Sequence, residues 1–346
     1  MKTALLTASL LLSASLQAAP SKILFGSCAH QDKDMPILNT INSEQPEVFV
    51  FLGDNVYGDT ENMSELKAKY EKLGKNSGFA KLRATTEVIA TWDDHDFGEN
   101  DAGGEYPMKN QSKQIMLDFW GEPKGSQRYQ QEDGIYTSYM YGEGDKTVHI
   151  ILLDLRYNRA PINSVSNLKY ITSRKFKNMG PYSPSEDPNA SMLGENQWKW
   201  FEKEMKKPAT LKIIGSSLQL IPDFTGWEAW ANFPKDRNRL FNLIKDEKIN
   251  GVMFLSGDTH WGELSRYQKE MPYPLWEVTS SGLTEEWKEV SPNQHRVGEY
   301  THKINYGYLD IDWDKQDPNI NFGLKDVEGK VINSTEFSLS SISPFN

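Results

Sequence analysis

Six short apolar runs mark the first 260 residues, and each stops at a small or acidic residue. They are Ile23–Phe25 before Gly26-Ser27-Cys28, Val48–Leu52 before Gly53-Asp54, Val88–Trp92 before Asp93-Asp94, Val148–Leu153 before Asp154, Leu211–Ile214 before Gly215-Ser216-Ser217, and Val252–Leu255 before Ser256-Gly257-Asp258. Largely apolar stretches of this length, bounded by turn formers, read as buried strands. Between them the period changes to that of a helix. Ser64–Leu73 puts Leu66, Tyr70 and Leu73 on one face, Glu195–Lys206 does so with Trp198, Phe201 and Met205, and Asp236–Lys248 with Leu240, Leu243 and Ile244. Strands alternating with helices predict an α/β fold. From Ile135 onward antiparallel signals join: Ile135–Tyr141 turning at Gly142-Glu143-Gly144-Asp145, then Leu275–Thr279, Tyr306–Trp313 and a hairpin at Glu328-Gly329. A mixed sheet, or two packed sheets, is expected.

Two weakly periodic stretches, Arg159–Leu193 and Thr284–His302, are long for a compact domain and read either as lids over a site or as peripheral insertions. No repeat, linker or shift in composition divides the chain, so residues 20–346 are expected to form a single domain. Residues 1–19 carry one lysine, an apolar stretch from Ala4 to Leu16 and small residues at Ala18 and Ala19, the pattern of a signal peptide. The stretch is shorter than the ~20 residues that span a bilayer, and no later stretch comes closer, so no membrane span is expected. Export to a periplasm or the exterior follows. Phe25-Gly26-Ser27-Cys28 loosely resembles a lipoprotein cleavage box, but Pro20 and Lys22 separate it from the apolar run.

Composition changes the picture in two ways. The formal net charge of −10 disfavours nucleic acid and anionic surfaces, no basic cluster stands out, and no protein partner is implied. The same acidity suits a protein that holds cations. Second, the chain has one cysteine, Cys28, which cannot form an internal disulfide. It reads either as a small buried apolar residue or as a metal-bound thiolate.

The chemistry gathers at strand ends, where the loops of an α/β sheet converge. Cys28, Asp54, the Asp93-Asp94 pair and Asp258 each follow a predicted strand; one such Asp would be an ordinary turn or cap residue, but several in register are harder to explain so. Gly53-Asp54-Asn55-Val56-Tyr57 places a phenol three residues after an acid. Tyr57 is either a packing residue or a ligand to a strongly polarising cation such as Fe(III). Trp92-Asp93-Asp94-His95-Asp96 concentrates three carboxylates and an imidazole, whose repulsion cations would relieve, and Asn100 adds a neutral oxygen donor. Asp258-Thr259-His260 offers two further ligands two residues apart.

Taken together, Ser27-Cys28, Gly53-Asp54 with Tyr57, Trp92-Asp93-Asp94-His95-Asp96, and Ser256-Gly257-Asp258 with His260 resemble the motifs of the alkaline phosphatase D family within the calcineurin-like metallophosphoesterases, across about residues 25–260. The resemblance implies a four-layer α-β-β-α sandwich of two packed mixed sheets flanked by helices. It also implies Fe(III) with Ca(II), the iron being held by the cysteine and the tyrosine as in related purple acid phosphatases, which share the tyrosine. Carried onto this chain, Cys28 and Tyr57 would bind iron, Asp54 would bridge both metals, Asp258 and His260 would complete the shells, and Asp94 or Asn100 would serve the second metal. Zn, Mn or Co would suit the oxygen ligands nearly as well. Relatives often carry a further ligand histidine where this chain reads Gly215-Ser216-Ser217-Leu218-Gln219, which leaves a calcium shell more dependent on oxygen donors.

The expected reaction is hydrolysis of a small phosphate monoester, with two cations neutralising the phosphoryl oxygens and generating a hydroxide for in-line attack. Asp54, shared between the metals, and His95, beside the ligands but not one of them, are the expected catalytic residues; His95 would stabilise the transferring group or protonate the leaving oxygen. Arg156, in Leu153-Asp154-Leu155-Arg156, is either a phosphate-binding guanidinium or half of a structural Asp–Arg pair. Trp227, Trp230 and Trp261 either stack on a leaving group or simply pack. His30, His149, His295 and His302 are given no role. Phosphodiesterase or phospholipase-type cleavage at the same site is the alternative, and a non-catalytic metal-binding protein the remote one.

Overall fold

The apolar runs form strands in the computed structural model, which describes residues 18–345. The expected signal peptide thus lies, except for its last two residues, outside the described residues. In chain order the strands are β1 (Lys22–Gly26), β2 (Val48–Leu52), β3 (Glu87–Thr91), β4 (Thr137–Glu143), β5 (Lys146–Leu152), β6 (Asn163–Ser164), β7 (Tyr182–Ser183), β8 (Leu211–Gly215), β9 (Val252–Ser256), β10 (Gly262–Tyr267), β11 (Leu275–Ser280), β12 (Arg296–Thr301), β13 (Asn305–Asp312), β14 (Asn319–Asp326) and β15 (Val331–Ser338). They make a six-stranded sheet in the order β15-β14-β13-β1-β2-β3, a seven-stranded sheet in the order β12-β10-β11-β9-β8-β5-β4, and a separate ribbon of β6 and β7. Both large sheets are mixed. β1, β2 and β3 run parallel, as do β5, β8, β9 and β11, and the remaining neighbours are antiparallel.

Alternation along the buried strands sorts side chains into two cores. Val48, Val50 and Leu52 of β2 join Ile23 and Phe25 in a core shared with Ile151, Ile213 and Phe254 of the other sheet. Phe49, Phe51 and Leu24 point the opposite way and pack with Leu38, Leu66, Phe79 and Met116 from the helices Ile37–Ser43, Met63–Gly74, Ser77–Thr85 and Lys109–Trp120. Trp198 and Phe201 of Gly194–Met205, with Leu240 and Ile244 of Pro234–Asp246, supply the helical cover associated with the seven-stranded sheet. The result is the expected four-layer α-β-β-α arrangement.

The Met63–Gly74 helix shows how local chemistry sets an element. The Asn62 side chain accepts from the Ser64 N–H at 3.1 Å, and Leu66, Tyr70 and Leu73 recur on one buried face. The two long stretches are only partly irregular. The first contains the β6–β7 ribbon, and the second ends in β12, an edge strand with three exposed residues. Among the described residues no helix is long and apolar enough to cross a membrane.

Candidate metal centre

Parallel strands deliver their carboxyl ends to one side, and the two sheets do so together. Cys28 follows β1, Asp54 follows β2, Asp93–Asp96 follow β3, and Asp258 and His260 follow β9. The backbone must turn sharply at each of these points. Cys28 (φ 62°), Asp54 (49°), Asp258 (69°) and His260 (59°) all lie in the left-handed region, which non-glycine residues seldom occupy. Gly53 (φ 105°) precedes Asp54 where any Cβ would sit 2.5 Å from that of Asp93. The turns are pinned by hydrogen bonds from Cys28 N–H to Gly53 O at 3.3 Å and from Ala29 N–H to Asp54 O at 2.8 Å.

The ligand atoms of Cys28, Asp54 and His260 lie within 4.8 Å of one another, as do those of Asp54, Asp94 and His95, and those of Asp54, Asp93, Asp94 and Asp258. Asp54 belongs to all three of these, while Asp94, Asp101 and Glu228 form a fourth group without it. The Cys28 thiol sits 3.3 Å from Asp54 Oδ2 and 3.1 Å from Ser281 Oγ. Tyr57 OH lies 3.1 Å from His260 Nε2, and its ring is flanked by His30 and His95, with centroids at 4.6 and 4.2 Å. Six of the expected ligands, Cys28, Asp54, Tyr57, Asp94, Asp258 and His260, are therefore brought together. Asn100 lines the same cavity from an exposed position.

The neighbouring acids have separate duties. Asp96 is a fastener: Oδ1 accepts from the backbone N–H of Asp93 (2.6 Å) and Asp54 (3.2 Å), and Oδ2 from that of Asn55 (3.1 Å), so one buried carboxylate ties the β2 loop to the β3 loop. Asp93 accepts from Arg156 Nε at 2.6 Å and Ser217 Oγ at 2.5 Å. Arg156 itself is fully buried, and it also donates to Glu228 Oε2 at 2.6 Å. It does not line the cavity. The expectation that it binds substrate phosphate is thus corrected: its charge is spent inside the protein on Asp93 and Glu228, while Asp154 accepts only its backbone N–H, at 2.9 Å.

Electrostatics show what the arrangement lacks. Burial, with help from Cys28, Asp94 and Asp93, pushes the Asp54 carboxyl well above its ordinary range, and burial does the same to Asp258 and Tyr57. The Cys28 thiol is pushed up to about 12 by burial. For Asp94 burial opposes ionisation, but Arg156, His95 and the Asp101 N–H outweigh it and hold the acid below the usual carboxylate range. Asp54 Oδ1 and Asp94 Oδ1 are buried without a hydrogen-bond partner. Orphaned oxygens, a thiol, a phenol and an imidazole in one place fit cations, which would favour the charged form of every one of these acids.

His95 differs. Its Nδ1 lies 2.7 Å from Asp59 Oδ1, and although burial opposes charge, Asp94 and Asp59 raise its pKa to about 9. The His95 ring borders a cavity of about 210 Å³ lined also by Asp94, Asp101, Glu228, Asp258 and His260, with Trp227, Trp261 and Trp287 around it. Trp230 is elsewhere, fully buried and donating to Ser216 Oγ at 3.0 Å. Asp59, Asp101, Glu228, Ser281 and Trp287 escape the sequence reading. Ser280-Ser281 carried a usable signal, a seventh apolar run ending in small polar residues, and Asp59 follows Tyr57 by two positions. Glu228 and Trp287 lie in loops that give no sign of where they return.

Known proteins share this architecture. The solved structure titled PhoD superposes with a TM-score of 0.66 at 14% identity, covering 92% of this chain and 72% of that one. A dimetal phosphatase from Danio rerio gives a TM-score of 0.56 at 14% identity, covering 93% of this chain and 100% of that one. Alkaline phosphatase D of Bacillus subtilis is 20% identical over 219 residues, a match that takes in 57% of this chain but only 35% of that relative's length. Residues 23–322, which include every ligand residue brought together at the strand ends, match the family described as PhoD-like phosphatase, and the chain belongs to that family.

Proposed function

We propose that the chain is a two-metal phosphoesterase acting on phosphate monoesters, with residues 20–346 working as one domain after export. The observation that carries the reading is Asp54, whose carboxylate alone joins the group of Cys28 and His260 to the groups that hold Asp94 and Asp258, and which keeps an orphaned oxygen. Cys28, Tyr57 and His260 would hold the first cation, and thiolate with phenolate favours Fe(III) there. Asp94 and Asp258 would serve the second, for which Ca(II) suits an oxygen-rich shell. Asp94 is preferred to Asn100 because its free oxygen is buried within the ligand group while Asn100 is exposed. Bound cations supply neutralisation of the phosphoryl oxygens and activation of water.

The chain's own residues do the rest. Asp59 and Asp94 favour the protonated form of His95; with Nδ1 turned to Asp59, the other ring nitrogen is free to donate to a phosphoryl or leaving oxygen. Asp96 fixes the loops of Asp54 and Asp93 relative to each other, and Arg156 anchors Asp93. The test compares kcat/KM on an aryl phosphate monoester and the matching diester, with Asp54→Asn as the blank. A monoester preference abolished in the variant supports the reading, and a diester preference moves it to nucleotide, lipid or polymer cleavage. Bound metal without turnover on either would leave a metal-binding protein.

A further inference from the structure

Leu168, Ile171 and Phe176 are 73%, 62% and 68% exposed, while the next most exposed large apolar side chain among the described residues, Val331, is 46% exposed. All three sit on one short helical stretch, residues 167–177, at the tip of a hairpin whose stem is the β6–β7 ribbon, with Asn163 paired to Ser183. Isolated exposed apolar residues need no explanation, but three within nine positions on a projecting tip do. The tip is also cationic. No Asp or Glu occurs from residue 155 to 185, in a chain whose net charge is −10. Arg174 is occupied by the Gly180 and Tyr182 carbonyls, but Lys169, Lys175 and Lys177 are exposed, and none makes an ion pair among the described residues. This run, Lys169 with Arg174-Lys175-Phe176-Lys177, is a basic cluster already visible along the chain, contrary to the expectation that none stands out.

The hairpin is firmly held at its base, beside the cavity mouth. Gly180 N–H donates to Thr225 O at 3.1 Å, Tyr182 N–H to Gly226 O at 2.8 Å, and Ser291 Oγ to Asn178 O at 2.6 Å, while the Tyr182 hydroxyl reaches Asp101. A rigid arm thus presents apolar side chains and ammonium groups together. A soluble polyanion would use the lysines and leave the apolar side chains in water. A second copy of the tip would oppose like charges across the contact. An anionic bilayer satisfies both features, accepting apolar side chains at the acyl boundary and pairing lysines with lipid phosphates.

We propose that residues 167–177 form an interfacial docking element for anionic bilayers, with Leu168, Ile171 and Phe176 entering the acyl boundary and Lys169, Lys175 and Lys177 meeting the headgroups. This goes beyond the catalytic reading and stands or falls without it. The test exploits the single, fully buried Cys28. The full chain carrying Thr172→Cys on the tip, or Lys203→Cys on the Gly194–Met205 helix, is labelled with a polarity-sensitive thiol dye and mixed with vesicles of phosphatidylcholine alone or with phosphatidylglycerol. On the anionic vesicles the label at position 172 should shift to the blue and be quenched by nitroxide-bearing lipid, while that at 203 should not change. Replacing the three lysines by glutamine should weaken partitioning by about tenfold or more, and replacing Leu168, Ile171 and Phe176 by serine should abolish the shift. A silent label at 172 would overturn the proposal. So would apolar variants that bind as well as the parent, which would indicate a polyanion site, or a shift without vesicles that grows with protein concentration, which would indicate self-association.

Discussion

The floor beneath the cavity, where Cys28, Asp54, Asp94 and Asp258 arrive from strand ends, is fixed by backbone hydrogen bonds and holds acids, Cys28 and Asp54 foremost, whose ionised forms burial disfavours. The rim is of another kind. Trp227 and Trp287 meet edge to face at 5.9 Å from two different loops, and Trp287 is 38% exposed. The difference teaches a division of labour. The floor holds left-handed backbone and orphaned oxygens, so it tolerates little change; on the proposed reading the rim would touch whatever the phosphate is attached to and could vary without disturbing the reaction.

Asp54 is where the floor should be least tolerant of change. Asp54→Asn should lower kcat/KM by on the order of a thousandfold or more, since a shared ligand carries several kcal/mol of charge stabilisation, and metal analysis should show lost occupancy; full activity with both metals retained would break the floor's claim. Next, His95→Asn should cost about a hundredfold to a thousandfold in kcat with metal content unchanged. Asp94 and Asp59 raise the folded pKa of His95 to about 9, and a cation on Asp94 would lower it from there, so activity that depends on its proton should fall as pH rises through a value no higher than about 9. Asp59→Asn removes one of the carboxylates that raise it, so the decline should move to lower pH with a loss of about tenfold; a pH–rate profile identical to the parent's would rule out the pairing.

Asp96→Asn sharpens the contrast between holding and reacting. Burial pushes this carboxyl up to about 7 against the backbone donors that favour the anion, and the amide cannot accept from all of them. Thermal melts should show about 2–3 kcal/mol of lost stability, with a smaller loss in kcat than either His95 or Asp54 produces. The mildest effect belongs to the rim. Trp227→Ala should raise KM for an aryl monoester about threefold to tenfold and leave kcat and an alkyl monoester nearly unaffected; a large fall in kcat would show that rim and floor are not separable.

That separation also decided what the sequence could disclose. Val48–Leu52 is apolar at every position, so β2 and the acid after it are legible; shorter apolar cores mark β1, β3 and β9, and β8 is interrupted only by Lys212. Their ligands follow because a parallel strand's end fixes where the next side chain lies. The Arg296–Thr301 strand pairs on one side only and faces solvent with Gly298, Glu299 and Tyr300, so no apolar run betrays it. Arg156 misled for a related reason: a cation after a strand looks the same in sequence whether it faces a ligand or, as here, two buried carboxylates supplied from residues 93 and 228. Partnerships across such separations depend on packing, which local pattern does not encode.

The ligand groups draw on chain positions from 28 to 260 and on both large sheets. A cation held there acts as a removable staple between the two halves of the sandwich, absent from the unfolded chain because the ligands are then far apart. Linkage makes the melting temperature a function of free metal concentration: each thousandfold excess over the dissociation constant adds about 4 kcal/mol to the folded state. The supply of metal around the protein would then set how long each molecule survives as well as how fast it works.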